Sequence, residues 1–275
     1  MLFPIHNGTL HLAHDTMHYV RFGSGSKSLV ILPGLGDGLT TVKGTALPMA
    51  LMYGIFAKDY TVYMPSRRNH LPEGYTTCDM ARDLKEALDL WGVQKADLLG
   101  VSMGGMIAQH FAIDYPERTE KLVLAVTCAQ PNPTLTASVC EWIDFAMRGD
   151  HRGLMESNVR RMYSDAYYHK NRWMIPVMGL LTKPKSYDRF FIQAHACLHH
   201  HAADRLPLIT APTLVIGGEK DLALGAQASR EIAAAIPGAQ LHMYPQYGHA
   251  LYEEAKDFNQ IVLRFLQNPP CEARA

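Results

Sequence analysis

Residues 96–105, ADLLGVSMGG, constrain the fold of this chain more than any other stretch. An apolar run (Leu98, Leu99, Val101) leads into Gly100-Val101-Ser102-Met103-Gly104. A helical pattern follows, with Ile107 and Phe111 four residues apart. A strand, a sharp turn and a helix in that order put the serine at the apex of the turn. Its hydroxyl stands in the open and the neighbouring N–H groups point the same way. Glycines two residues to either side leave room for the chain to reverse. Ser102 is therefore a candidate nucleophile rather than an ordinary helix cap. The pentapeptide alone is weak, and its surroundings give it weight.

Those surroundings repeat along the chain. Residues 9–13 and 17–22 read as a hairpin. Short apolar runs at 29–32, 60–64, 98–101, 122–126, 213–217 and 240–244 read as strands. Residues 81–91, 226–236 and 253–266 carry helical stripes. This alternation predicts an α/β fold with a mostly parallel sheet and helices on both faces. Residues 130–205 break the rhythm. They hold no strand-like run and many large apolar side chains, so they are read as a helical cap inserted into the sheet domain (residues 1–129 and 206–275). The tail from Asn268 is expected to fray.

Bulk properties narrow the function. Lys+Arg and Asp+Glu are equal at 26 each, which argues against a role driven by attraction to nucleic acid or a membrane surface. The N-terminus lacks a basic segment followed by a long apolar one, so no secretory signal and no membrane span are expected. Five scattered cysteines without a C-x-x-C pair read as free thiols in a reducing, cytoplasmic setting. Three adjacent histidines, His199-His200-His201, point in different directions on any regular element. They are read as a solvated run, and no metal is expected there. The composition leaves the oligomeric state open.

A serine hydroxyl needs a base, and the base needs an orienting carboxylate. Asp221 lies in GGEKDLALG just past the strand at 213–217, and His249 lies in YPQYGHALYEE just past the last strand. Ser102, Asp221 and His249 thus follow three strands and are expected to converge at the carboxyl edge of one sheet.

With GVSMGG around Ser102, PTLVIGGEKD ending at Asp221 and GHALYEEAKDFNQIVLRFL from His249, the chain resembles the α/β-hydrolases. The order serine, acid, histidine, with a cap inserted before the acid, is that family's, and the likeness runs over residues 20–267. It implies a Ser102–His249–Asp221 triad that needs no cofactor. It also implies an oxyanion hole made by the N–H groups of Leu35 and Met103. The loop Leu35 sits in, LPGLGDG, has Pro33 where the family commonly has histidine. Asp37 is read as shaping this Gly-rich turn. The Met and aromatic residues of 140–191 are read first as cap core. Gly34, Trp142, Phe145 and Leu222 are the candidates for pocket lining.

The expected activity is hydrolysis of a small or medium apolar carboxylic ester through an acyl-enzyme on Ser102. The same triad also serves carbon–carbon bond, lactone and thioester hydrolysis and perhydrolysis in capped relatives. A small-molecule receptor without turnover and a cofactor-free oxygenase are the readings from other classes.

Overall fold

Buried aliphatic runs build the centre of the sheet, and a computed structural model describes residues 3–268. The N-terminal half supplies β1 (Ile5–His11), β2 (Thr16–Phe22), β3 (Lys27–Leu32), α1 (Ala46–Met52), β4 (Tyr60–Arg68), α2 (Thr77–Leu90), β5 (Ala96–Val101), α3 (Met103–Asp114) and β6 (Thr119–Ala125). Five helices follow: α4 (Pro133–Met147), α5 (His151–Met162), α6 (Asp165–Asn171), α7 (Ile175–Leu181) and α8 (Asp188–Leu198). The chain then returns to the sheet with β7 (Thr213–Gly218), α9 (Ala226–Ala235), β8 (Gln240–Tyr244), α10 (Leu251–Glu254) and α11 (Phe258–Gln267).

The strands form one eight-stranded sheet in the order β1-β2-β4-β3-β5-β6-β7-β8. The β1–β2 and β2–β4 pairs are antiparallel, and every pair from β4 to β8 is parallel. After β3 the chain moves outward to β4 and then crosses back to β5 on the other side of β3. That reversal of direction opens a crevice at the carboxyl ends of β3 and β5, the place where open α/β sheets bind ligands. Two apolar cores, one on each face, hold the helices to the sheet.

Sequence periodicity places all eight strands, with shifted ends. β1 begins four residues before the expected start, and β4 runs on to Arg68, where it pairs with Met17. The helix expected over 253–266 is two helices, because Ala255 takes an extended conformation (φ −80°, ψ 111°). α2 starts four residues early, at a capping box between Thr76 and Asp79. The histidine run is not uniformly solvated. His201 is exposed and pairs with Asp204, but His200 is buried and its Nδ1 lies 3.0 Å from Thr77 Oγ1. Burial pushes the His200 ring down to about 3, so it is neutral. The frayed tail and Cys271 lie outside the described residues, and the other four cysteines are free thiols. Among the described residues no helix is long and apolar enough to cross a membrane.

Candidate active site

Ser102 is the one residue from Ala96 to Ile113 that is not buried. Its backbone adopts φ 55°, ψ −122°, a region that a non-glycine residue occupies only under constraint. The constraint is visible on both sides. Ser102 N–H donates to Ala125 O at 2.9 Å, and the turn packs too closely for side chains at its flanks. A Cβ on Gly100 would come within 2.6 Å of Gly105 Cα, and one on Gly104 within 2.0 Å of Leu32 O. The strain turns the hydroxyl outward from a strand–helix junction that is otherwise core. The side chain caps nothing in α3, which disposes of the ordinary N-cap reading.

Asp221 follows β7 and His249 follows β8. His249 Nδ1 lies 2.8 Å from Asp221 Oδ2, with only 4 % and 3 % of the two side chains exposed. The other carboxylate oxygen, Oδ1, accepts from the N–H groups of Ala223 (2.8 Å) and Leu224 (2.9 Å). Burial alone would raise the Asp221 carboxyl. The facing His249 and the two amides outweigh it and hold the group below its ordinary value. With Nδ1 committed to Asp221, Nε2 is the ring atom left for a substrate or a nucleophile. Ser102 and His249 line the same cavity. Among the described residues Ser102 Oγ has no hydrogen-bond partner, and such contacts tighten when substrate arrives.

The loop after β3 lies across the switch point from Ser102. Gly34 is so close that a Cβ on it would come within 3.3 Å of Ser102 Cβ. Gly34 is extended, and Leu35–Gly38 forms a single 3₁₀ turn. Among the described residues the N–H groups of Leu35 and Met103 donate to no backbone or side-chain acceptor.

The shared cavity has a volume of about 450 Å³. Gly34 and Trp142, two of the pocket-lining candidates, line it, and so do Leu35, Met49, Tyr53, Asn158, Tyr163 and Glu253, which were not among those candidates. Two expected lining residues are elsewhere. Phe145 packs against Gly153 of α5 and under the Arg148 guanidinium, and it faces a separate cleft between α4 and α5. Leu222 also faces that cleft and is 57 % exposed. The chain wraps the Asp221 carboxylate with the amides of residues 223 and 224, which turns the Leu222 side chain away. Among the described residues the cavity lining includes no Lys or Arg; its charged members are Asp37 and Glu253. Burial raises the Glu253 carboxyl, while hydrogen bonds from Tyr163 and Tyr252 oppose the shift.

Asp37 does more than shape a turn. Its Oδ2 accepts from Arg67 N–H (3.1 Å), the Arg189 guanidinium (2.8 Å) and Gln193 Nε2 (3.2 Å). Arg189 and Gln193 belong to α8, so the loop after β3 is tied to the helical layer above it. The other two loops are tied as well: Asn132 Nδ2 donates to Leu224 O (2.9 Å) and Ala250 N–H to Met162 O (2.7 Å).

The alpha/beta hydrolase fold family profile matches residues 27–256. The chain belongs to the alpha/beta hydrolase family. A Pseudomonas putida protein named 2-hydroxy-6-oxononadienedioate/2-hydroxy-6-oxononatrienedioate hydrolase 2 is 28 % identical over 266 residues, covering 92 % of each chain. Among solved structures, an alpha/beta hydrolase enzyme from a deep-sea metagenome library aligns over 98 % of this chain and 100 % of its own, with TM-score 0.85 and 24 % identity. The enol-lactonase of Burkholderia xenovorans LB400 aligns over 95 % of this chain and 100 % of its own, with TM-score 0.80 and 22 % identity. These structures share the fold. The family match and the named hydrolase relatives support hydrolase activity for this chain.

Proposed function

We propose that this hydrolase works through Ser102 as nucleophile, His249 as base and acid, and Asp221 as the group that fixes the histidine. The observation that carries the reading is the buried 2.8 Å His249–Asp221 contact on the same cavity as the outward-turned Ser102. His249 takes the Ser102 proton as Oγ attacks a carbonyl carbon. The N–H groups of Leu35 and Met103 hold the oxyanion. His249 then returns the proton to the departing atom, and water activated by the same ring clears the acyl-enzyme. Residues 130–205 serve as the cap, over a core of residues 1–129 and 206–275. The free thiols support a reducing compartment.

For the bond cleaved, carbon–carbon hydrolysis of a vinylogous diketone comes first. The activity named in the Pseudomonas putida relative supports it, over nearly the full length of both chains. In that reaction the departing carbon receives the proton from His249. Hydrolysis of an apolar ester or lactone is the second reading, and a specific observation favours it: among the described residues the cavity lining has no Lys or Arg, so none of them offers such a cation to a substrate carboxylate.

The deciding assay pairs a meta-cleavage-type diketone with p-nitrophenyl esters of growing chain length, with Ser102→Ala alongside. A kcat/KM at least tenfold higher for the diketone supports the first reading, and the reverse ratio supports the second. Turnover unchanged in Ser102→Ala refutes both.

A further inference from the structure

At the end of α3 opposite Ser102, three side chains of metal-binding chemistry converge. Cys78, His110 and Asp114 each place a ligand atom within 4.8 Å of the others. His110 and Asp114 stand one helical turn apart on α3 and so share a face. Cys78 comes from the first turn of α2. Its Sγ lies 3.8 Å from Asp114 Oδ2. Bonds of about 2.3 Å to sulfur and about 2.0 Å to oxygen set two tetrahedral zinc ligands roughly 3.5 Å apart. The existing gap is close to that.

A second observation points the same way. His110 is 6 % exposed, and its Nδ1 has no hydrogen-bond partner. The His200 ring meets it edge-on at 5.0 Å, and His200 Nε2 is also buried without a partner. An unpaired buried nitrogen is costly, and His110 Nδ1 stands without a partner on one of the three ligand side chains.

Two guanidinium groups already flank the cluster, and each keeps a carboxylate partner of its own. Arg205 holds Oδ1 of Asp114 and leaves Oδ2 facing the thiol, as an outer partner orients a ligating carboxylate. Asp114 closes α3, where the free carbonyls of a helix end favour positive charge. Arg82 is 3.7 Å from Cys78 Sγ, and it keeps its ion pair with Asp79 if an ion takes the sulfur.

We propose that Cys78, His110 and Asp114 form a site for a borderline divalent transition metal of the zinc class, with water in the fourth position. Binding replaces the thiol proton by the metal and releases that proton to solvent. Thiolate and carboxylate together balance the two charges of the ion. The metal ties α2 to α3 and takes no part in the chemistry. At 1.5 Å rise per residue, the helix holds it roughly 16 Å from Ser102. The site runs against the expectation of no metal, because its ligands are far apart in sequence and only the packing of α2 on α3 joins them.

The test is a Co²⁺ titration of the chelator-treated full-length protein, followed by Zn²⁺ competition. One equivalent of Co²⁺ is expected to give a thiolate-to-cobalt charge-transfer band that Zn²⁺ abolishes, together with a rise in Tm. Cys78→Ser should remove the band, and Asp114→Asn should weaken binding at least tenfold. Both side chains reach solvent, so both variants should fold, and Cys78→Ser should keep full hydrolase activity. Absence of the band in the wild type overturns the proposal. So does binding that neither substitution alters. Neither result bears on the role of Ser102.

Discussion

Asp221 and Asp37 are both buried at the carboxyl edge of the sheet, and they are held by opposite means. Asp221 faces a histidine ring and two backbone amides of its own loop. Asp37 faces Arg189 and Gln193 of α8 and one amide of β4, and its Oδ1 has no partner. The first arrangement is complete within the sheet domain and aims its force at one ring. The second joins the loop after β3 to the helical layer, and it fixes the loop that carries Leu35, a cavity-lining residue. The carboxylate that meets the His249 ring is wrapped locally. One that must hold two layers in register is bound across them.

The largest effect should come from breaking the local arrangement. Asp221→Asn leaves the shape but favours the wrong tautomer of His249, and kcat should fall by about 10⁴-fold. Circular dichroism and steady-state kinetics on the same preparation check this. Because the Asp221 carboxyl is held low, it adds stability that is present above the ordinary carboxylate range and lost as pH falls through its folded-state value. Wild type and Asp221→Asn should therefore converge in Tm as the solution is acidified.

Breaking the spanning arrangement should cost stability more than chemistry. Arg189→Met leaves Asp37 short of its cation, and denaturant unfolding should show a loss of about 3 kcal/mol. The loop then moves relative to Ser102, so kcat should drop by about tenfold while any bulk apolar binding is retained. A kcat equal to wild type would remove the link between the helical layer and the oxyanion loop.

A third carboxylate sharpens the contrast from the other end of the sheet. Asp97, near the start of β5, has its carboxyl pushed up to about 6 by burial, although Tyr60 donates to it at 2.9 Å. The folded state binds the proton more tightly than the unfolded one, so stability should fall as pH rises from about 4 to about 6. Asp97→Asn should flatten that slope in Tm and leave activity untouched. The smallest effect belongs to Leu222→Ala. Its exposed side chain faces away from the catalytic cavity, so kcat/KM should stay within twofold of wild type, and a larger change would return Leu222 to the site.

How much was legible beforehand follows the same division. Ser102, Asp221 and His249 stand just past strands whose apolar runs are unmistakable, and a parallel sheet brings such positions together whatever lies above them. The helical layer has no comparable rule. Trp142 and Phe145 are three residues apart on α4, yet only Trp142 reaches the cavity, because Phe145 is drawn aside by Gly153. The partnership of Asp37 with Arg189 and the inward face of His200 depend on how helices dock, and no local pattern encodes either. The break at Ala255 lies in a stretch whose apolar stripe runs on without interruption.

The central claim is that the strained turn delivers an activated serine. Treating the folded protein with a fluorophosphonate probe and mapping the adduct by peptide mass spectrometry tests it most directly. The account predicts one adduct, on Ser102, absent from Ser102→Ala and strongly reduced in His249→Ala. No adduct on the folded wild type, or one that persists in Ser102→Ala, would contradict it.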